Sequence, residues 1–405
     1  MSEVLINFKK ELKEELFSNI LPWWMKHAPD KDLGGFYGHI DHSNKVEEGA
    51  PKGAVLHARM LWTFAAAYRI SGDKAHLEVA KIALAYIREH FLDSSFGGVF
   101  WELEADGSVR SDRKQIYAIA FTIYGLAEYH LATEDESALE DAKFLFHDLE
   151  TNALDREKGG YTNALSREWL PMEDVRISDK DQNESKTMNT HLHILGAYSN
   201  LSRCWGNPVL EKALEDLLLL MGKSFTNRES GHLNLFFNED WELKSSIISY
   251  GHDIEASWLM YEAAEVLNRP ELLEEFGKLA IHMARVNREG LGEDGGLAYE
   301  YFPESGEEDR DRHWWPQAEA LVGYFNAWEL SGEKLFLEQS QHSWNYINKY
   351  LIDQELGEWI WSAAEDGSPQ KENEKAGFWK CPYHNGRACM EVMRRINKQL
   401  DSYEK

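Results

Sequence analysis

Residues 33–41 read LGGFYGHID, and five later segments repeat this glycine-rich, aromatic pattern. The later copies are FGGVFWELEADG from Phe96, KGGYTNAL from Lys158, SGHLNLFFNEDWE from Ser230, DGGLAYEYFPESG from Asp294 and LGEWIWSAAEDG from Leu356. Equivalent positions lie 62 to 72 residues apart. A period of this length indicates a repeat architecture in which each copy is one supersecondary unit.

The chain between these segments has the periodicity of helices. Apolar residues recur every three or four positions near the N-terminus and again from Val55 to Ile70, which is typical of one apolar helical face. Short polar breaks separate successive helices, as in SGDK from Ser71. The sequence therefore predicts an all-α fold, an (α/α)6 barrel of twelve helices with short β-hairpins at one mouth. An open α-solenoid is the alternative.

The composition limits the classes of function. The 405 residues carry 43 Lys and Arg against 70 Asp and Glu, a net charge of −27, which disfavours nucleic acid and anionic membranes as partners. The N-terminus has no apolar core of a signal peptide, and no apolar run is long enough to span a bilayer. Three cysteines without a CxxC pair favour a reducing compartment. We expect a single catalytic domain over residues 1–405, located in the cytoplasm.

Polar residues recur at the start of the second helix of every repeat. They are His57 and Arg59, Gln115 and Tyr117, Asn189 to His193, His252 to Glu255, RHWWPQAE from Arg312 and WKCPYHNGR from Trp379. In a closed barrel these six helix starts converge on one mouth, which predicts a shared pocket. Histidines suit proton transfer near neutral pH, while Trp and Tyr faces suit sugar rings. The pattern predicts a polyol substrate that histidines deprotonate and reprotonate.

Helical geometry sorts some of these residues. Asn189 and His193 share a face, whereas His191 points elsewhere and is expected to be structural. Glu255 lies three residues after His252 and is expected to orient that imidazole. The adjacent Trp314 and Trp315 diverge, so one is expected to pack and the other to line the pocket.

Two other chemistries use similar residues. A zinc site is disfavoured because no HExxH-like spacing occurs. A glycosidase would need two opposed carboxylates, for which Glu255, Glu319 and Asp181 are candidates.

Three segments, 166–186, 301–312 and 365–377, are longer than a turn requires. They are either surface loops or a rim over one mouth.

Four motifs carry a resemblance to a known family. They are MNTHLHILGAY from Met188, GHDIEASWL from Gly251, RHWWPQAEA from Arg312 and WKCPYHNGR from Trp379. With them the chain resembles the N-acylglucosamine 2-epimerase superfamily over almost its whole length, and the last motif resembles its cellobiose 2-epimerase branch. This resemblance implies the same (α/α)6 fold.

The resemblance also implies an activity. It is that of an isomerase which interconverts glucose and mannose at the reducing end of β-1,4-linked disaccharides, such as cellobiose and lactose, through an enediolate. No cofactor or metal is expected, an oligosaccharide is the expected partner, and the chain is expected to be a monomer or weak homodimer. The alternatives are a monosaccharide aldose–ketose isomerase, an N-acylglucosamine 2-epimerase, a glycoside hydrolase and a non-catalytic toroid that binds a sugar or a protein partner.

The residues that match family motifs are assigned roles by the same resemblance. His252 and His384 resemble the acid/base pair at C2, His193 the residue that assists ring opening, and Glu255 the partner of His252. The expected substrate-binding residues are Arg59, Tyr117, Asn189, Asp181, Trp315 and Trp379.

Overall fold

The structure is a computed structural model and describes residues 2–403. Its α-helices are α1 (Ser2–Glu14), α2 (Leu21–His27), α3 (Ala54–Ser71), α4 (Lys74–Tyr86), α5 (Ile116–Thr133), α6 (Glu136–Asn152), α7 (Met188–Ser202), α8 (Pro208–Leu220), α9 (Tyr250–Leu267), α10 (Pro270–Asn287), α11 (Trp314–Ser331), α12 (Lys334–Tyr346) and α13 (Tyr383–Tyr403). A π-helical stretch, Glu15–Ile20, joins α1 to α2. The pair therefore forms one continuous helix.

The helices form two concentric rings. Helices α3, α5, α7, α9, α11 and α13 pack each against the next, and α13 packs against α3. Each inner helix also packs against the outer helix that follows it in the chain, and α13 packs against α1. The ring is thus closed. The predicted (α/α)6 barrel is confirmed, and the open solenoid is wrong.

The inner helices are apolar on nearly every face because they are covered on all sides. In α5, IYAIAFTIYGLAEYHLAT, every residue from Ile116 to Tyr129 is buried. Small residues let neighbouring inner helices approach closely: a Cβ on Gly125 would lie 2.7 Å from the carbonyl oxygen of Ala58. No helix within residues 2–403 is long and apolar enough to cross a membrane.

The strands are β1 (Lys52–Gly53), β2 (Glu102–Leu103), β3 (Val109–Ser111), β4 (Lys114–Gln115), β5 (Ala164–Leu165), β6 (Lys186–Thr187), β7 (Phe236–Phe237), β8 (Ile248–Ser249), β9 (Glu300–Phe302), β10 (Glu307–Asp309), β11 (Arg312–His313) and β12 (Ser362–Ala363). Two hairpins, β2–β3 and β9–β10, lie within single repeats. The other ladders join neighbouring repeats: β1–β2, β4–β5, β6–β7, β8–β9 and β11–β12.

Short β-hairpins were expected at the mouth, but only two of these seven ladders are hairpins within a repeat. A strand of two residues forms too few hydrogen bonds to hold a hairpin alone. Each strand that leads into an inner helix therefore pairs with the glycine-bearing segment of the next repeat. A bridge between Ile40 and Ala376 completes the circle between the last repeat and the first.

Buried Lys–Asp pairs tie four of the glycine turns to these strands. In three pairs the lysine lies two residues before an inner helix, and in the fourth, Lys375 lies beside the Ile40–Ala376 bridge that precedes α13. In every pair the aspartate begins the glycine turn of the same repeat. The Nζ–Oδ distances are 2.8 Å for Lys52–Asp30, 2.9 Å for Lys114–Asp93, 2.8 Å for Lys186–Asp155 and 2.6 Å for Lys375–Asp353. Each lysine is almost inaccessible to solvent. These pairs fix the mouth from which the inner helices start.

Candidate active site

A cavity of about 330 Å³ opens among the N-terminal ends of the inner helices. All ten residues predicted for the site line it: Arg59, Tyr117, Asp181, Asn189, His193, His252, Glu255, Trp315, Trp379 and His384. Eight of them lie on inner helices, Trp379 precedes α13, and Asp181 belongs to the long segment 166–186. The structure therefore brings the predicted residues together in one place.

Two of the cavity histidines pack against the same tryptophan. The ring centroid of Trp315 lies 4.7 Å from that of His252 and 5.8 Å from that of His384. Burial lowers the pKa of His252 to about 4 and that of His384 to about 3. Both imidazoles are therefore neutral at pH 7, the form in which a histidine can accept a proton.

His384 is held in one orientation by a carboxylate. Its Nδ1 lies 2.6 Å from Oε1 of Glu319 on α11. Burial raises the pKa of Glu319, but Arg387 and His384 outweigh that effect and lower it to about 2. The ionised carboxylate can only accept, so Nδ1 of His384 carries the proton and donates it. Nε2 is then the basic nitrogen of this ring.

Arg387 joins Glu319 to a second carboxylate. Its Nη2 donates to Oε1 of Glu255 and to Oε1 of Glu319, both at 2.7 Å. Burial, reinforced by the charge of Glu319, raises the pKa of Glu255 to about 7. Glu255 can therefore hold or release a proton near neutral pH.

The expected contact between Glu255 and His252 is wrong. Glu255 accepts from Arg387, while Nδ1 of His252 lies 2.8 Å from Oγ of Ser249. The buried guanidinium of Arg387 needs anionic partners, and it draws Glu255 toward α13. The histidine that a carboxylate orients is His384.

Glu319 and Arg387 were missed as parts of the site. The sequence suggested Glu319 only as a glycosidase carboxylate, and Arg387 only as the end of a motif. One signal was available for Arg387: it lies three residues after His384 and so shares its helix face. No spacing within the sequence indicated that Glu319, on a different helix, would contact His384.

A second arginine lies across the cavity. Nη2 of Arg59 donates to the hydroxyl of Tyr117 at 2.7 Å, and its guanidinium lies 4.2 Å from the ring centroid of Phe121. Within residues 2–403, Nε of Arg59 and Oδ1 of Asn189 are buried and have no hydrogen-bond partner. One donor and one acceptor are thus available to a polar ligand.

His193 and His191 differ as their helical phase predicts. His193 contacts Tyr117 and Phe121, and burial together with Arg59 holds its pKa well below the usual value. His191 lies outside the cavity lining. Its Nδ1 bonds the carbonyl of Thr187, and its Nε2 accepts from the backbone N–H of Tyr161. His191 is therefore structural, as expected.

The predicted division between the two tryptophans is only partly correct. Both Trp314 and Trp315 line the cavity, and Trp314 also packs on Trp361 at 4.5 Å between centroids. Of the three long segments, 166–186 contributes Ile177, Ser178, Lys180, Asp181 and Gln182 to the cavity wall. It is thus a rim, whereas segments 301–312 and 365–377 contribute no lining residue.

The carboxylates and His384 also have the composition of a metal site. One ligand atom from each of Glu255, Glu319 and His384 lies within 4.8 Å of the others. Arg387, however, already contacts both carboxylates and offsets one of their two charges. A divalent cation would have to share this space with a guanidinium, so the donor set does not fit a metal.

Comparison with known proteins agrees with this geometry. The sequence model of the N-acylglucosamine 2-epimerase (GlcNAc 2-epimerase) family matches residues 35–388. A cellobiose 2-epimerase from Bacteroides fragilis is 47% identical over 97% of this chain and 100% of its own length. One from Ruminococcus albus is 38% identical over 95% and 98%.

A solved structure gives the same result. The cellobiose 2-epimerase from Bacillus thermoamylovorans B4167 superposes with a TM-score of 0.90 at 38% identity, covering 96% of this chain and 99% of that one. The family match and these relatives extend over nearly the whole barrel. The chain therefore belongs to the N-acylglucosamine 2-epimerase family, as a carbohydrate epimerase similar along its length to cellobiose 2-epimerases.

Proposed function

We propose that this protein interconverts glucose and mannose at the reducing end of β-1,4-linked disaccharides, such as cellobiose and lactose. The observation that supports this most is the pair of neutral histidines, half-buried His252 and buried His384, packed on one tryptophan in a cavity that also contains Arg59. Epimerisation at C2 needs proton transfer on both faces of one carbon, and two histidines supply it.

The reaction begins with the open-chain aldehyde. One histidine takes the C2 proton, the C–H electrons form a C1–C2 double bond, and the carbonyl oxygen becomes anionic. Arg59, whose Nε has no partner within residues 2–403, stabilises that charge as an oxyanion hole does. The other histidine, which takes a proton from solvent as the enediolate charge develops beside it, returns that proton to the opposite face of C2. Exchange with water then restores both rings.

The remaining cavity residues bind and open the sugar. His193 assists ring opening, and Glu255, with its pKa of about 7, exchanges a proton with a sugar oxygen. Trp315 and Trp379 provide the aromatic faces on which two sugar units stack, and Asn189 and Asp181 accept hydroxyl hydrogen bonds. Tyr117 holds Arg59 in place.

Proton NMR tests this proposal directly. Cellobiose incubated with the enzyme and EDTA in D₂O should give a mannose-type reducing-end signal with deuterium at C2. His252→Ala and His384→Ala should each abolish turnover, while His147→Ala, on an exposed face of α6, should not. Wild-type rates in either cavity variant contradict the assignment.

The same experiment separates the alternatives. With cellobiose as substrate, free glucose would indicate a glycoside hydrolase, and a ketose product would indicate an isomerase. If N-acetylmannosamine reacted in the same assay and cellobiose did not, the enzyme would be an N-acylglucosamine epimerase. The similarity to cellobiose 2-epimerases favours none of these.

Three further points are part of the proposal. The chain acts as one catalytic domain without metal or cofactor, as a monomer or weak homodimer. It resides in the cytoplasm, in keeping with free Cys204, Cys381 and Cys389. Its acidic charge keeps it from nucleic acid and anionic membranes.

A further inference from the structure

In four of the six repeats, the fourth residue of the inner helix makes the same hydrogen bond. It accepts a hydrogen bond from the backbone N–H that follows the glycine turn of its own repeat. The pairs are His57 with Phe36, His191 with Tyr161, Asp253 with Leu233 and Gln317 with Leu297. This bond anchors the first turn of each inner helix to the mouth of the barrel.

The fourth repeat differs from repeats one and three at two positions, the second residue of the glycine turn and the fourth residue of the inner helix. Repeats one and three have a second glycine and a neutral histidine, and a Cβ on Gly35 would come within 2.7 Å of Nε2 of His57. Repeat four has His232 in place of that glycine and Asp253 in place of the helix histidine. The smaller aspartate leaves room for an imidazole in the turn.

The two residues form a buried contact. Nδ1 of His232 lies 2.7 Å from Oδ2 of Asp253, and Nε2 lies 3.0 Å from Oε1 of Glu289 after α10. Asp253 is fully buried, and its Oδ1 accepts from the N–H of Leu233 at 2.8 Å. Asp253 is therefore held on both oxygens, and it is the residue directly after His252.

From this geometry, and given the proposed function, we infer that His232 is a positioning residue for His252. It acts through Asp253, which fixes the first turn of α9 and with it the place of the His252 ring. Only this repeat uses an ionic anchor among the four, and its helix carries one of the two histidines assigned to C2. His232 does not line the cavity, so it does not contact the substrate.

The charge of the anchor agrees with this role. Asp253 faces His232 from α9, Glu289 faces it from the turn after α10, and the Tyr250 ring lies 6.4 Å away. Burial works against the imidazolium, but Asp253 and Glu289 outweigh it and raise the pKa of His232. The stabilisation is complete below the ordinary pKa of about 6.5 and is lost as pH rises through the raised value.

Three variants test the inference in D₂O with cellobiose. His232→Gln retains a hydrogen-bond donor without charge, and His232→Gly introduces the glycine of other repeats. We expect kcat to fall about 10- to 100-fold for His232→Gly, less for His232→Gln, with KM unchanged within about twofold. His57→Gln is the control for the two readouts that follow, because it alters the same anchor on α3, a helix that carries Arg59 but neither histidine assigned to C2.

A second readout distinguishes positioning from stability. His384 is unchanged in His232→Gly, so it can still remove the C2 proton of one epimer and return a deuteron to the same face. In this variant, deuterium should therefore enter C2 of that epimer with retention of configuration faster than the epimer is inverted. His57→Gln should not show this asymmetry. Wild-type kcat and wild-type exchange ratios in His232→Gly, even with a lower urea midpoint, overturn the inference.

A third readout needs no turnover and so separates this inference from the proposed function. The imidazole NMR resonance of His252, assigned by its loss in His252→Ala, should shift in His232→Gly and Asp253→Asn but not in His57→Gln. An unchanged His252 resonance rejects the positioning role, whether or not the wild type epimerises cellobiose.

Discussion

Glu319→Gln tests the orientation of His384 with a change of one atom. The carboxylate accepts from Nδ1 of His384 at 2.6 Å, from Arg387 at 2.7 Å and from Nε1 of Trp258 at 3.0 Å. A hydrogen bond to a charged group contributes about 1.5–3 kcal/mol. Loss of that stabilisation for the developing imidazolium predicts a kcat lower by about 10- to 150-fold.

Stability should change much less than activity. Removing one member of a buried ion pair usually costs about 3–5 kcal/mol, but Arg387 has a second carboxylate. The charge of Glu319 helps to raise the pKa of Glu255. Without it, Glu255 ionises and takes over the pairing, so we expect a loss of only about 1–2 kcal/mol of unfolding free energy.

The assay compares kcat for cellobiose with the urea unfolding midpoint. Glu128→Gln is the matched control, because Glu128 is equally buried and pairs with Arg69 outside the cavity lining. It should lose stability and keep its kcat. If Glu319→Gln retains more than half of the wild-type kcat, the carboxylate does not activate His384 and the assignment is wrong.

Other predictions concern pH, binding and stability. Because the pKa of His252 is lowered to about 4, kcat/KM should not fall as the pH decreases through 6.5, the ordinary pKa of histidine. A fall in kcat/KM near pH 6.5 would contradict the lowered pKa. Glu255, with a pKa of about 7, loses its proton as pH rises, so Glu255→Gln should remove an alkaline limb near pH 7 that the wild type shows. Trp379→Ala should raise the KM for cellobiose by about 10-fold or more. An equal rise in the KM for mannose, a single sugar, would show that Trp379 does not stack on the second sugar unit. Lys52→Met leaves Asp30 buried without its cation and should cost about 3–5 kcal/mol in urea unfolding, whereas Lys81→Met, at an exposed pair, should cost under about 1 kcal/mol.

The closed ring of helices could be predicted because the six-fold repeat can be read directly from the sequence. Six glycine-rich segments at one period imply six helical hairpins, and a polar cluster at one phase implies one mouth. The pocket residues followed for the same reason: Arg59, Tyr117 and His252 occupy equivalent helix starts, so closure of the ring brings them together. No contact between individual side chains was needed for that conclusion.

Contacts across the cavity could not be predicted in this way. Glu255 was assigned to His252 from spacing along one helix, but buried charges select partners across helices. Arg387, on α13, contacts carboxylates on α9 and α11. The prediction of β-hairpins was incomplete for a similar reason. Most of the strands pair across repeats, and nothing in a segment of two residues indicates which partner it takes.

The closed ring makes the position of the chain ends largely arbitrary. Helix α1 packs along α13, and the bridge between Ile40 and Ala376 joins the first repeat to the last as the other strand ladders join neighbours. Circular permutants that link the two ends and open at the exposed turns around Gly72 or Gly332 would keep every interface of the barrel. Deleting any one repeat, by contrast, would remove two of these interfaces and open the mouth that holds the cavity.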